Sequence, residues 1–212
     1  MSTLLDATLK GFLEKLGSDA PAPGGGSAAA LSGAMGAALV SMVCNLTRGK
    51  EKYAEFEPLV LETVAKSDAL TRTLMDCVQK DTTAFDGVIA ALKMPKGSDA
   101  EKSARTEAIQ KAYKTAILSP EETAEHCLTV MGLAKELLHK SNKNVASDLS
   151  VAALQAHAGL VSAIENVAIN LPAIKDAEYV AQRRAWIERV EREGAALLTE
   201  VRDGVASMIA QA

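Results

Sequence analysis

No charged residue occurs between Asp19 and Arg48, and the residues in between are mostly Ala, Gly and Ser. From Ser27 to Thr47 the stretch reads as one helix, with Ser27 as its cap and Arg48 and Lys50 near its C-terminus, where cations are favoured. Ala29, Gly33, Ala37, Ser41 and Asn45 recur every four residues and fall on one side. Such a side is nearly smooth and lets another backbone come close, so the expected partner is a second helix, of this chain or of another subunit. About 20 apolar residues also suffice to cross a bilayer. This segment, however, opens on Pro21, Pro23 and Gly24 to Gly26 and is weakly apolar throughout. A small-residue helix inside a bundle is the expectation, with no membrane partner.

The composition suits such a bundle. Of 212 residues, 48% are hydrophobic and only 3% aromatic, so the core must come from Ala, Leu, Val, Ile and Met, which favours packed helices over sheets. Leu5, Leu9, Phe12, Leu13 and Leu16 predict a first helix over residues 3–16. A third spans 56–92. Ser98 with Glu101 forms a capping box for a fourth that reaches about residue 118, and Ser119, Pro120 and Glu122 repeat that signature for a fifth over 120–140. Residues 145–170 form a sixth helix, with Ala152, Ala156, Gly159 and Ala163 on one close-packing side, and 176–209 a last one. No repeat or shift of composition marks a boundary. The fold class is therefore all-α, a single domain over residues 1–212 with six to seven helices.

Charge and residue counts exclude several functions. A net charge of −4, with one Trp, three Tyr and three Phe, gives no basic field and few stacking platforms, so nucleic acid is not a partner. Cys44, Cys77 and Cys127 lack a CxxC pair and read as free thiols, and no signal pattern opens the chain. Both point to the cytoplasm. His126, His139 and His157 lack metal-pair spacing and no acidic cluster joins them, so no metal is expected. No nucleophile elbow appears.

The stripe Val60, Val64, Leu70, Leu74, Cys77, Phe85, Val88 and Leu92 is interrupted by Asp81. A carboxylate there loses solvation; it becomes a base near neutral pH or a structural ion-pair or cap partner. Asn166 and Asn170 lie one turn apart and either hold a polar ligand or pin the bundle. Asn142, Asn144, Ser147 and Asp148 crowd one helix start, where capping explains one or two. The amides of Gly24, Gly25 and Gly26 suit an anion or a carbonyl oxygen, or simply a tight turn.

In order along the chain, Ala20-Pro21-Ala22-Pro23-Gly24-Gly25-Gly26-Ser27, Asn45-Leu46-Thr47-Arg48-Gly49-Lys50, Asp81-Thr82-Thr83-Ala84-Phe85, Met94-Pro95-Lys96, Asn142-Lys143-Asn144-Val145-Ala146-Ser147-Asp148 and Asn166-Val167-Ala168-Ile169-Asn170-Leu171 form a series. It resembles the cyclodeaminase/cyclohydrolase family of tetrahydrofolate enzymes, departing from it at Ser141, where members often have Gly. The resemblance implies a dimerising helical bundle that acts on a one-carbon tetrahydrofolate. It implies hydrolysis of 5,10-methenyltetrahydrofolate to 10-formyltetrahydrofolate, with the alternative of expelling ammonia from 5-formiminotetrahydrofolate. A non-catalytic helical binding module on the same scaffold is the reading from another class. Motif matching puts the catalytic carboxylate at Asp81. It makes Gly24, Gly25, Gly26, Asn45, Asn142, Asn144, Asp148, Asn166 and Asn170 pocket residues and offers Arg48 and Lys50 to the anionic tail of a polyglutamylated folate. No cofactor is implied beyond the tetrahydrofolate substrate itself.

Overall fold

The computed structural model describes residues 4–210, and every regular element among them is helical. In chain order these are α1 (Leu9–Leu16), α2 (Gly25–Asn45), α3 (Glu57–Leu92), α4 (Asp99–Glu136), α5 (Ala146–Ala168) and α6 (Ala177–Ala210), with short 3-10 turns between some of them. The expected first helix is shorter than its apolar pattern. Thr8 caps α1 by accepting the Gly11 N–H, Leu4–Asp6 forms a separate 3-10 turn, and Thr3 lies outside the described residues.

The charge-free segment becomes α2, at the centre of the bundle and packed on α3, α4 and α5. By length and composition it is apolar enough to span a bilayer, and its burial inside the bundle accounts for that apolarity. Its small residues meet three helices of the same chain: Gly33 faces Leu74 of α3 and Cys127 of α4, Ser41 bonds to Ser67 and Asp68 of α3, and Gly36 meets α5. A Cβ on Gly36 would stand 2.8 Å from the Ala152 carbonyl oxygen, and one on Gly159 would stand 2.8 Å from that of Ala29. Small residues on both helices thus let the two backbones touch. Ala29, Ala37, Ala152, Ala156 and Ala163 are all buried there, whereas Asn45, last of the four-residue series, is exposed.

The two helices expected over 98–118 and 120–140 are one. Ser98 and Glu101 do make the capping box, but α4 continues through Pro120 to Glu136. A proline inside a helix removes one donor, here the one to the Ala116 carbonyl, at a cost of about 3 kcal/mol in an isolated helix. Burial holds α4 together across it, since Ile117, Ser119, Pro120, Thr123 and Ala124 are all buried. Ser119 is no cap, and Glu122 instead pairs with Lys80 of α3 at 2.7 Å. Finally, α6 closes the bundle against α4 through Arg183–Glu121 at 2.6 Å and Arg189–Glu125.

The close approach of α2 and α5 yields a stability test. Gly159→Ala forces a methyl group into the Ala29 carbonyl and should destabilise the protein by about 1–3 kcal/mol. Gly132→Ala, in α4 with open space around it, should instead stabilise by up to about 1 kcal/mol. Urea unfolding of both variants measures the contrast, and equal effects would mean that the two backbones are not in contact.

Candidate active site

The apolar stripe of α3 divides at Asp81. Val60, Leu74 and Cys77 before it are fully buried; beyond it Val88 stays buried, while Phe85 and Leu92 are 38% and 40% exposed. There α3 leaves the core and becomes the wall of a cavity of about 440 Å³, within the range of small-ligand sites. Gly24, just before α2, and Gly25 and Gly26 of its first turn line one side, and Asp81, Thr82, Phe85 and Val88 of α3 another. Tyr113 and Pro120 of α4, with Asn166 and Asn170 at the end of α5, complete it.

The glycine run has a definite task. A Cβ on Gly26 would lie 2.0 Å from Asp81 Oδ1, so only glycine allows this contact, and a Cβ on Gly25 would lie 3.4 Å from Asn166 Nδ2. Gly24 is the residue before the helix and has open space around it. Ser27, expected as the cap, is instead inside the first turn. Its Oγ lies 2.9 Å from the Val78 carbonyl oxygen and 3.2 Å from Asp81 Oδ2, so one hydroxyl proton serves both acceptors on α3. No side chain of its own caps α2, and the Asp81 carboxylate accepts the Ser27 backbone N–H from a neighbouring helix. A helix N-terminus favours a negative charge.

Burial nevertheless dominates Asp81. It pushes the carboxyl above its ordinary value of 3.8, while the hydroxyl and backbone N–H of Ser27 pull it partly back. The result is a carboxylate that takes up a proton more readily than one in water, the property a proton relay requires.

Asn166 and Asn170 share the cavity wall as their spacing predicts. Each Nδ2 donates to a carbonyl one turn back, Ser162 and Asn166 respectively, at 2.7 Å. That leaves each Oδ1 as an acceptor for the cavity. The remaining candidates do not join them within one chain. Asn45, Arg48, Lys50, Asn142, Asn144 and Asp148 cluster at the far end of α2 and the start of α5, about 30 Å away along a 21-residue helix. Asn142 is structural there: its N–H donates to Thr47 Oγ1 and its Nδ2 to the Leu46 carbonyl, both at 3.0 Å, and its Oδ1 accepts the Asn144 N–H. Asn45, Arg48, Lys50 and Asn144 are exposed, and Asp148 is half-buried in the first turn of α5. Within one chain the motif series therefore falls into two groups, one at each end of α2.

Ser27 and Thr82, which stand in the motif series but not among its candidate site residues, and Tyr113 and Pro120, which lie outside the series, are also cavity or carboxylate partners. Among the described residues no three His, Cys, Asp or Glu side chains stand together as a metal site. The three cysteines are free and buried, and burial pushes Cys44 and Cys127 up to about 12, where the thiolate nucleophile is absent at neutral pH.

The raised Asp81 value makes stability depend on pH with a definite sign. The unfolded chain releases this proton first, near 3.8, and the folded protein releases it later. Stability therefore falls as pH rises through that interval and is level above it. Asp81→Asn removes the loss, so the stability of the variant relative to wild type should increase across the interval and stay high at neutral pH. Urea unfolding at a series of pH values checks this; a relative stability that decreases with pH would mean that the amides of α2 outweigh burial.

Comparison with known proteins places the chain in a family. A family model described as formiminotransferase-cyclodeaminase matches residues 8–189. A methenyltetrahydrofolate cyclohydrolase of Methylorubrum extorquens is 46% identical over 202 residues, 95% of this chain and 97% of that protein. The formimidoyltransferase-cyclodeaminase of Mus musculus is 35% identical over 82% of this chain, which spans only 32% of that protein's length. Among solved structures, a formiminotetrahydrofolate cyclodeaminase from Thermotoga maritima matches with a TM-score of 0.86 at 29% identity, covering 96% of this chain and 98% of that one. The chain belongs to the formiminotransferase-cyclodeaminase family.

Proposed function

We propose that this chain hydrolyses 5,10-methenyltetrahydrofolate to 10-formyltetrahydrofolate, with Asp81 as the proton relay. The single observation that carries the choice is the match, nearly end to end, with a protein named a methenyltetrahydrofolate cyclohydrolase. The cavity chemistry supports it. The methenyl carbon lies between two nitrogens that share a positive charge, and a carboxylate beside it stabilises that charge. Water bonds to the carbon and passes a proton to Asp81. Return of that proton to the ring nitrogen lets its bond to the carbon break, and loss of the hydroxyl proton leaves the formyl group. An Asp81 raised above the ordinary range suits both transfers. The folate carries the one-carbon unit, so the reading needs no further cofactor.

The same proposal includes a homodimer. The outer side of α2 presents Leu31, Met35, Ala38 and Met42, and α5 beside it presents Val151 and Leu154; Met35, Val151 and Leu154 are 45%, 41% and 43% exposed. The two faces adjoin where Ser32 Oγ donates to Gln155. A charge-free, self-complementary face of this kind fits a second copy across a two-fold axis. If α2 meets its counterpart antiparallel, Asn45, Arg48 and Lys50 of one subunit approach the Gly24 end of the other. In that arrangement the two cations serve the glutamate tail of a polyglutamylated substrate.

Loss of the methenyl absorbance band, followed with purified protein, tests the reaction. Wild type should accelerate it, and Asp81→Asn should lower kcat by about 10²–10⁴-fold, the usual contribution of acid–base catalysis. Acceleration only of methenyl formation from 5-formiminotetrahydrofolate, with ammonia released, would replace this function by cyclodeaminase. No activity on either folate would favour a binding module. Sedimentation of Leu154→Glu should show the dimer lost, and a wild type that sediments as a monomer would refute the assembly.

A further inference from the structure

Thr82 lines the same cavity one residue beyond Asp81, and its hydroxyl is buried without a hydrogen-bond partner. That is unusual on its own helix. Thr71, Thr73 and Thr83 of α3 each donate to the carbonyl four residues back, at 2.9, 3.1 and 3.2 Å. The corresponding carbonyl for Thr82 belongs to Val78, and Ser27 of α2 takes it at 2.9 Å. A carbonyl oxygen has two lone pairs; the helical N–H of Thr82 uses one and Ser27 the other. The contact that holds Asp81 against α2 therefore displaces the Thr82 hydroxyl from its normal acceptor.

An orphaned buried hydroxyl is destabilising, and valine has the same shape without the polar atom. A threonine here thus calls for an acceptor or donor that arrives with the ligand. In helices the threonine side chain occupies two χ1 wells, largely because its oxygen bonds to the preceding turn. With that bond taken, a turn of about 120° exchanges methyl for hydroxyl on the cavity wall. The α3 wall around it is otherwise apolar, formed by Ala84, Phe85, Val88 and Ile89. A water held by the Asp81 carboxylate alone is free to pivot, and an ordered water needs two or more polar partners.

We infer that Thr82 is a catalytic residue whose hydroxyl holds the attacking water beside Asp81. This rests on the proposed hydrolysis and adds a second anchor to it. The water oxygen points a lone pair at the methenyl carbon, one of its protons goes to Asp81, and the other is held by Thr82 Oγ1. The new carbon–oxygen bond forms as the first proton leaves, and the later steps are those given above. Because the hydroxyl acts on the water and not on the folate, its removal alters turnover and leaves substrate binding intact.

Thr82→Val and Thr82→Ser test this with the methenyl hydrolysis assay and urea unfolding. The expected result for Val is a kcat about tenfold lower, KM changed less than about twofold, and stability equal to or above wild type. Ser, which keeps the hydroxyl, should restore most of kcat. Full kcat in Val would overturn the proposal, as would a rise confined to KM, or a loss that Ser does not restore and that accompanies reduced stability. A wild type without methenyl hydrolysis removes the underlying reaction and this role with it. Wild-type turnover with an unaffected Val variant removes only the role of Thr82.

Discussion

The first turn of α2 reaches α3 because Gly26 carries no side chain, and the site depends on that contact. Gly26 leaves room for the Asp81 carboxylate where any Cβ would collide with it. The carboxylate then faces a helix N-terminus whose attraction is worth about 0.3–2 kcal/mol. Moving a carboxylate out of water costs several kcal/mol. The larger effect wins, so Asp81 is held in place by the helix yet takes up a proton more readily than in water.

Much of the remaining fold follows from placing such a helix in the interior. A charge-free α2 packs without ion pairs against α5, through Gly36 and Gly159, and against α3 through Ser27 and through Ser41, which donates to Asp68 at 2.6 Å. Long α3 and α4 continue past the end of α2, and their facing sides give the cavity an apolar wall. Asn166 and Asn170 reach the cavity because α5 lies flush against α2 along its length. The same contact that fixes Asp81 withdraws a carbonyl from Thr82, so holding one polar group leaves another without its usual partner.

The helices were legible because apolar periodicity and local caps are encoded by near neighbours. Ser98 with Glu101 and the small residues of α2 and α5 are found as expected, and Asp81 stands out as a carboxylate in an apolar stripe. What was not legible depends on neighbours distant in sequence. Pro120 looks like a helix start until burial of Ile117, Ser119, Pro120, Thr123 and Ala124 carries α4 through it. Ser27 looks like a cap until Val78 and Asp81 approach from another helix. Asn45 and Asn142 stand in one motif series with Asp81, and within one chain the length of α2 separates them from it.

The most direct test is a carbon-13 NMR titration of the Asp81 carboxyl, assigned by its absence in Asp81→Asn. Burial against the α2 N-terminus predicts a midpoint above the ordinary 3.8, and a further rise in Ser27→Ala, where the hydrogen bond that lowers it is gone. A midpoint at or below 3.8, or one unchanged in Ser27→Ala, would contradict the account.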